Sequence, residues 1–111
     1  MKYFVTDSER TRTVYHEFYK GKWDEKTFWA KDSISLHDDI LVENPGFYNA
    51  LKAAVPGYDP CEMIEVSKEA WEKVREYIPK DDVRSLEIYD EADEWAKEAI
   101  AEKGCFTILG L

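Results

Sequence analysis

Two histidines and the carboxylates beside them are the residues of this chain whose types could do acid–base or metal chemistry. His37 is followed directly by Asp38 and Asp39, and His16 lies in an aromatic segment, TVYHEFY. A histidine titrates near neutral pH and can act as a general base or a metal ligand when a carboxylate orients it. The sequence therefore raises one catalytic hypothesis: a small metal-dependent hydrolase centred on His37 and Asp38, with His16 as a further member of the site.

The His-Asp pair at 37 and 38 is similar to the pair that gives its name to a family of metal-dependent phosphohydrolases. That family also uses another histidine and a distant aspartate on a mainly helical frame. The only other histidine here, His16, lies among β-branched and aromatic residues, which predict a strand. Because adjacent side chains of a regular element point in different directions, we expect residues 37–39 to form a turn or a helix N-terminus.

Other catalytic signatures are absent from the sequence. It contains no glycine-rich phosphate loop and no G-x-S-x-G nucleophile motif. Cys61 and Cys105 form no C-x-x-C pair, and with two histidines they give a zinc cluster few ligands. The sequence therefore predicts neither a cofactor nor a metal, and it favours a protein that is not an enzyme.

The elements that must position these residues belong to one small domain. A chain of 111 residues, 44% hydrophobic and 14% aromatic, can bury a core without crosslinks, so we expect residues 1–111 to form a single domain. Strand-like segments cover residues 3–5, 11–19, 23–29, 63–66 and 105–109. Helical periodicity covers residues 47–55, 68–78 and 83–103. An alternative for the last segment makes residues 85–89 a strand and Asp90 the N-cap of a shorter helix. Residues 34–42 fit neither period. The predicted fold is α+β, with a small antiparallel sheet packed against two or three helices.

The net charge of −9 is concentrated in the second half of the chain. Residues 1–57 carry 8 basic and 9 acidic side chains, whereas residues 58–111 carry 7 and 15. Since binding to phosphates needs clustered Lys and Arg, the composition argues against nucleic acid or an anionic membrane as a partner. No stretch has the ~20 apolar residues that span a bilayer, and no signal-peptide core is present. These features predict the cytoplasm, with both thiols reduced.

The most distinctive predicted surface is an acidic cluster between residues 81 and 98. Its carboxylates share the polar side of a predicted helix, and they suggest docking of a basic partner through Asp90, Glu91, Asp93 and Glu94. Trp23 and Trp29 belong to an aromatic group that is large for a small core, and exposed Trp is favoured at protein interfaces. The alternatives are a solvated helix face for the acids and a core position for the aromatic rings.

The sequence as a whole predicts a non-enzymatic acidic module that binds a basic protein. In size and charge it is similar to inhibitors, immunity proteins and antitoxins, which is an analogy and not a shared motif. The alternative remains the hydrolase centred on His37 and Asp38.

Overall fold

Alternating apolar residues and helical apolar stripes sort the chain into one sheet and four α-helices. The structure is a computed structural model that describes residues 1–111. The strands are β1 (Phe4–Thr6), β2 (Tyr15–Lys20), β3 (Ile34–His37), β4 (Met63–Ser67) and β5 (Cys105–Leu109). The helices are α1 (Asp38–Glu43), α2 (Pro45–Ala54), α3 (Lys68–Tyr77) and α4 (Val83–Lys103). The predicted α+β class with an antiparallel sheet is confirmed, although the helices number four.

The sheet has the order β1-β3-β2-β5-β4, and every neighbouring pair is antiparallel. The nearly continuous apolar run at the end of the chain forms β5, which lies between β2 and β4. This confirms its predicted place as an interior strand, because a strand with neighbours on both sides can bury most of its side chains. β1 and β4 are the two edges of the sheet.

Aromatic rings dominate the side of the sheet that faces the helices. Phe18 of β2 and Phe106 of β5 are buried there, and their rings stack with centroids 5.5 Å apart. Trp71 of α3 meets Phe106 edge-on at 5.2 Å and stacks on Tyr89 of α4 at 4.4 Å. Each such ring removes about 150–250 Å² from water, roughly 4–6 kcal/mol of transfer free energy as an upper bound. These contacts hold α3 and α4 against the sheet.

The opposite side of the sheet is covered by the connection between β2 and β3, residues 21–33. The strand predicted at residues 23–29 is wrong, because this connection is irregular and Trp29 adopts the left-handed conformation (φ 62°). The carboxylate of Glu17, which is only 1% exposed, accepts the backbone N–H of Trp29 at 2.6 Å and that of Ala30 at 2.9 Å. One buried carboxylate of β2 therefore anchors the connection.

Side chains fix where the helices begin and end. Ser67 accepts the N–H of Ala70 at 3.1 Å and so caps α3, as its sequence predicts. Asp82 caps the N-terminus of α4. The helix ends at Gly104, as the sequence predicts, and this glycine adopts the left-handed conformation. No helix of this structure has the length and apolar content needed to cross a bilayer.

Candidate functional site

The motif at residues 37–39 is a junction at which a strand turns directly into a helix. β3 ends at His37 and α1 begins at Asp38, with no loop between them. The Nδ1 atom of His37 accepts the backbone N–H of Asp39 at 3.0 Å, so the imidazole caps the helix. The ring also meets that of Tyr15 edge-on, with centroids 5.0 Å apart. Of the two structures expected for residues 37–39, a turn or a helix N-terminus, the protein has the helix N-terminus, and the capping side chain is the histidine.

The structure brings His16 and Asp38 together but keeps His37 apart from His16. The Nε2 atom of His16 lies 2.8 Å from Oδ1 of Asp38. In the strand register His16 is opposite Leu36, whereas His37 is opposite Tyr15. Neighbouring positions of a strand point to opposite sides of the sheet, so the two imidazoles lie on different sides. The three residues of the catalytic hypothesis therefore share no common face.

Burial limits what the pair of His16 and Asp38 can do. His16 is 1% exposed and its Nδ1 atom is buried without a hydrogen-bond partner, while the Asp38 side chain is 33% exposed. The nearby Tyr58 hydroxyl is also buried and unpartnered, and burial raises the pKa of Tyr58 above its usual range. No group of three His, Cys, Asp or Glu side chains is placed to hold a metal ion. The bond between His16 and Asp38 joins β2 to the start of α1.

Two of the four predicted docking acids are engaged inside the protein. Glu91 accepts the backbone N–H of Tyr3 at 3.0 Å and that of Phe4 at 3.3 Å, which ties β1 to α4. Asp93 accepts the indole N–H of Trp71 at 2.8 Å and forms an ion pair with Lys97 at 3.4 Å. These carboxylates hold elements together, so they are only partly available to a partner.

The other two predicted acids are exposed on α4. Asp90 forms an ion pair with Arg75 of α3, and Glu94 has no hydrogen bond or ion pair within the protein. Glu87 and Glu98 extend the same exposed row at helical spacing. We call Glu87, Asp90, Glu94 and Glu98 the acidic stripe.

The two tryptophans predicted at an interface are half-buried in the connection of residues 21–33. The indole N–H of Trp23 donates to the carbonyl of Thr27 at 2.7 Å, and its ring meets the exposed ring of Phe28 edge-on at 5.2 Å. The guanidinium of Arg10 lies 3.8 Å from the centroid of the Trp29 ring. Both rings therefore already have partners, while part of each stays open to solvent.

A partly apolar cleft lies between α3 and α4. It has a volume of about 320 Å³, and Trp71 and Tyr89 form part of its wall. Its charged side chains are Lys68, Glu72, Asp93 and Lys97, two of each sign. Because these charges balance, the cleft has no preference for a partner of one sign.

Sequence reasoning missed the buried carboxylate of Glu17, because no local signal shows which backbone groups the fold places beside it. His16 and Asp38 were grouped only within the catalytic hypothesis, and the structure brings these two together without His37. Comparison with known proteins found no matching family model, no matching curated protein and no matching solved structure.

Proposed function

We propose that this chain is a non-enzymatic, acidic protein-interaction domain that binds a basic surface of another protein. The observation that carries the proposal is the acidic stripe, four exposed carboxylates along α4. Glu87 is paired with Lys2 and Asp90 with Arg75, whereas Glu94 and Glu98 have no basic partner within the protein. Exposed charges of one sign speed the encounter with an opposite surface and select against like-charged partners. In this role the domain would act as an inhibitor of the immunity-protein or antitoxin kind.

Trp23 and Trp29 are the aromatic part of the proposed interaction. Each ring is half-buried and already held in place, so a partner that binds it loses little side-chain entropy in fixing its position. We propose that the domain lies in the cytoplasm. Its two cysteines, Cys61 and Cys105, are both free thiols, and free thiols are typical of proteins in that compartment. Direct binding to nucleic acid is not part of the proposal, because the exposed charge is predominantly negative.

The hydrolase centred on His37 and Asp38 is not proposed further. His16 and Asp38 are close, but the imidazole of His16 is buried and His37 lies on the other side of the sheet. A general base must come within hydrogen-bond reach of a substrate proton. The buried imidazole of His16 and the imidazole of His37 lie on opposite sides of the sheet, so they cannot act on one substrate.

Charge reversal at one position tests the proposal. Glu94→Lys changes the centre of the acidic stripe, and Glu43→Lys makes the same change of net charge at an exposed, unpaired position on α1. The immobilised wild-type protein and both variants are exposed to the same lysate, and bound proteins are identified by mass spectrometry. We expect basic proteins that bind the wild type and Glu43→Lys to be lost from Glu94→Lys, with circular dichroism unchanged.

Two outcomes would contradict this proposal. Equal capture by all three proteins would mean that the acidic stripe does not contribute to binding. Equal loss from both variants would mean that net charge alone governs binding, since the two substitutions differ only in place.

A further inference from the structure

The two edges of the sheet differ in how their backbone groups are satisfied. At the β1 edge, the N–H of Phe4 is accepted by the carboxylate of Glu91 at 3.3 Å, and that of Thr6 by Glu9 at 2.9 Å. These side chains occupy the donors that an added strand would use. β1 is also only three residues long, so this edge is protected against pairing.

The β4 edge has no such protection. The N–H of Gly110 donates to the carbonyl of Glu62 at 3.1 Å. This bond shows which alternate residues beside β5 turn their backbone groups toward it. Antiparallel strands turn alternate residues toward each other, so Ile64 directs its backbone groups to β5. Met63 and Glu65 direct theirs outward, where no other strand pairs with them. Two N–H and two C=O groups are thus free along an exposed edge.

The surroundings of this edge are acidic and partly apolar. A groove of about 310 Å³ runs beside it, lined by Lys22, Trp23, Glu25, Met63, Glu65 and Thr107. Its acidic side chains, Glu25 and Glu65, have no Lys or Arg nitrogen within 4 Å, and Lys22 is its one basic side chain. The side chains of Trp23 and Met63 form the apolar wall. An extended segment lying here would meet carboxylates and aromatic surface on the same face.

We propose that the β4 edge binds an extended segment of another protein by strand addition, and that this segment carries Lys or Arg on the face toward Glu65. Main-chain hydrogen bonds supply the docking and alternate side chains the selectivity, as in other cases in which a peptide extends a sheet. This site is separate from the acidic stripe on α4. It shares Trp23 with the interaction proposed above, but the backbone groups of Met63 and Glu65 that would bind the segment belong to this edge alone.

A second copy of this chain fits the edge less well than a basic segment. Two antiparallel copies of β4 would place Glu65 opposite either its own counterpart or Met63 of the other copy. The two Glu65 carboxylates lie directly opposite each other in the first arrangement and diagonally across the seam in the second. Like charges across paired strands are destabilising, and each chain carries a net charge of −9.

The test uses a fluorescent peptide of alternating Lys and Val, with its binding followed by anisotropy. Met63→Pro removes an N–H group that points away from β5, so no hydrogen bond between β4 and β5 is lost. Proline is tolerated at edge positions of this kind. Met63→Ala is the matched control for the lost side chain. We expect Met63→Pro to weaken binding about tenfold or more, which corresponds to one lost hydrogen bond, and Met63→Ala to bind within about threefold of the wild type.

Two further arms keep the test decisive if Met63→Pro folds poorly. A peptide methylated at alternate backbone nitrogens cannot donate to the edge and should bind the wild type about tenfold less tightly or worse. Glu65→Gln should weaken binding severalfold and reduce its dependence on salt. Glu94→Lys should bind this peptide within about twofold of the wild type, which separates this site from the acidic stripe.

Three results would overturn the proposal. The wild type might not bind the peptide, or it might bind the methylated and unmethylated peptides equally. The third is sedimentation as a dimer that Met63→Pro converts to a monomer, which would make the occupant a second copy of this chain.

Discussion

Replacing Glu17 by Gln should destabilise the protein by about 2–4 kcal/mol. The buried carboxylate uses its two oxygens to accept the N–H groups of Trp29 and Ala30. Gln can accept only one of these with its oxygen and turns an NH2 group toward the other, which leaves two donors facing each other. A hydrogen bond to a charged group contributes about 1.5–3 kcal/mol, and the remaining bond loses its charge. At roughly 4 °C per kcal/mol for a domain of this size, Tm should fall by about 8–16 °C.

Urea unfolding followed by circular dichroism measures this difference, and Glu25→Gln is the matched control. Glu25 lies in the same connection but is exposed and makes no hydrogen bond, so its replacement should change the free energy of unfolding by less than about 0.5 kcal/mol. Hydrogen exchange at the amides of Trp29 and Ala30 should accelerate in Glu17→Gln alone. If the two variants unfold at the same urea concentration, the carboxylate of Glu17 does not anchor this connection.

Two other substitutions test separate parts of the fold. Gly46→Ala would put a methyl carbon 1.9 Å from an oxygen of Asp82, the residue that caps α4. We expect the free energy of unfolding in urea to fall by about 2–3 kcal/mol, because the site is overpacked and the cap is displaced. An unchanged midpoint would contradict this contact. Burial and then Glu65 raise the pKa of the Cys105 thiol to about 11, so iodoacetamide at pH 8 should alkylate exposed Cys61 first. Peptide mapping should show Cys105 reacting at a comparable rate only as the pH approaches 11, and at lower pH in Glu65→Gln; equal rates at pH 8 would refute this.

Local sequence signals were sufficient for elements whose periodicity is uniform. The helix at 83–103 and the interior strand at 105–109 were predicted because one pattern dominates each of them. The alternative strand at 85–89 is wrong, because these residues lie inside α4. Residues 34–42 showed no clean period because two patterns meet there. Ile34 and Leu36 follow the two-residue alternation of β3, whereas Leu41 belongs to the buried side of α1. A change of period inside a nine-residue window hides both elements.

The false strand at 23–29 shows where local propensity is overruled. Its aromatic residues are typical of strands, but strand propensity measures packing against neighbours and burial. The segment instead packs on a sheet formed by other residues, and Glu17 fixes its backbone. The sequence predicted Trp23 and Trp29 at an interface, with a core position as the alternative, but their partners within the protein, Thr27 and Arg10, could be assigned only from the fold.

The candidate sites depend on the same long-range topology. The role of a carboxylate depends on the groups that the fold places beside it, and not on its neighbours in sequence. Of the 15 acids in residues 58–111, four form ion pairs with basic side chains, and Glu91 is used by backbone groups 87 and 88 residues away. The charge available to a partner is therefore smaller than the composition implies. Glu94 and Glu65 are adjacent in neither sequence nor fold, yet each lacks a basic partner beside an exposed surface, one on α4 and one on an open strand edge. For this reason the two proposed binding surfaces are tested at these two residues, and not at Glu91 or Asp93, where a loss of binding would also follow from a loss of structure.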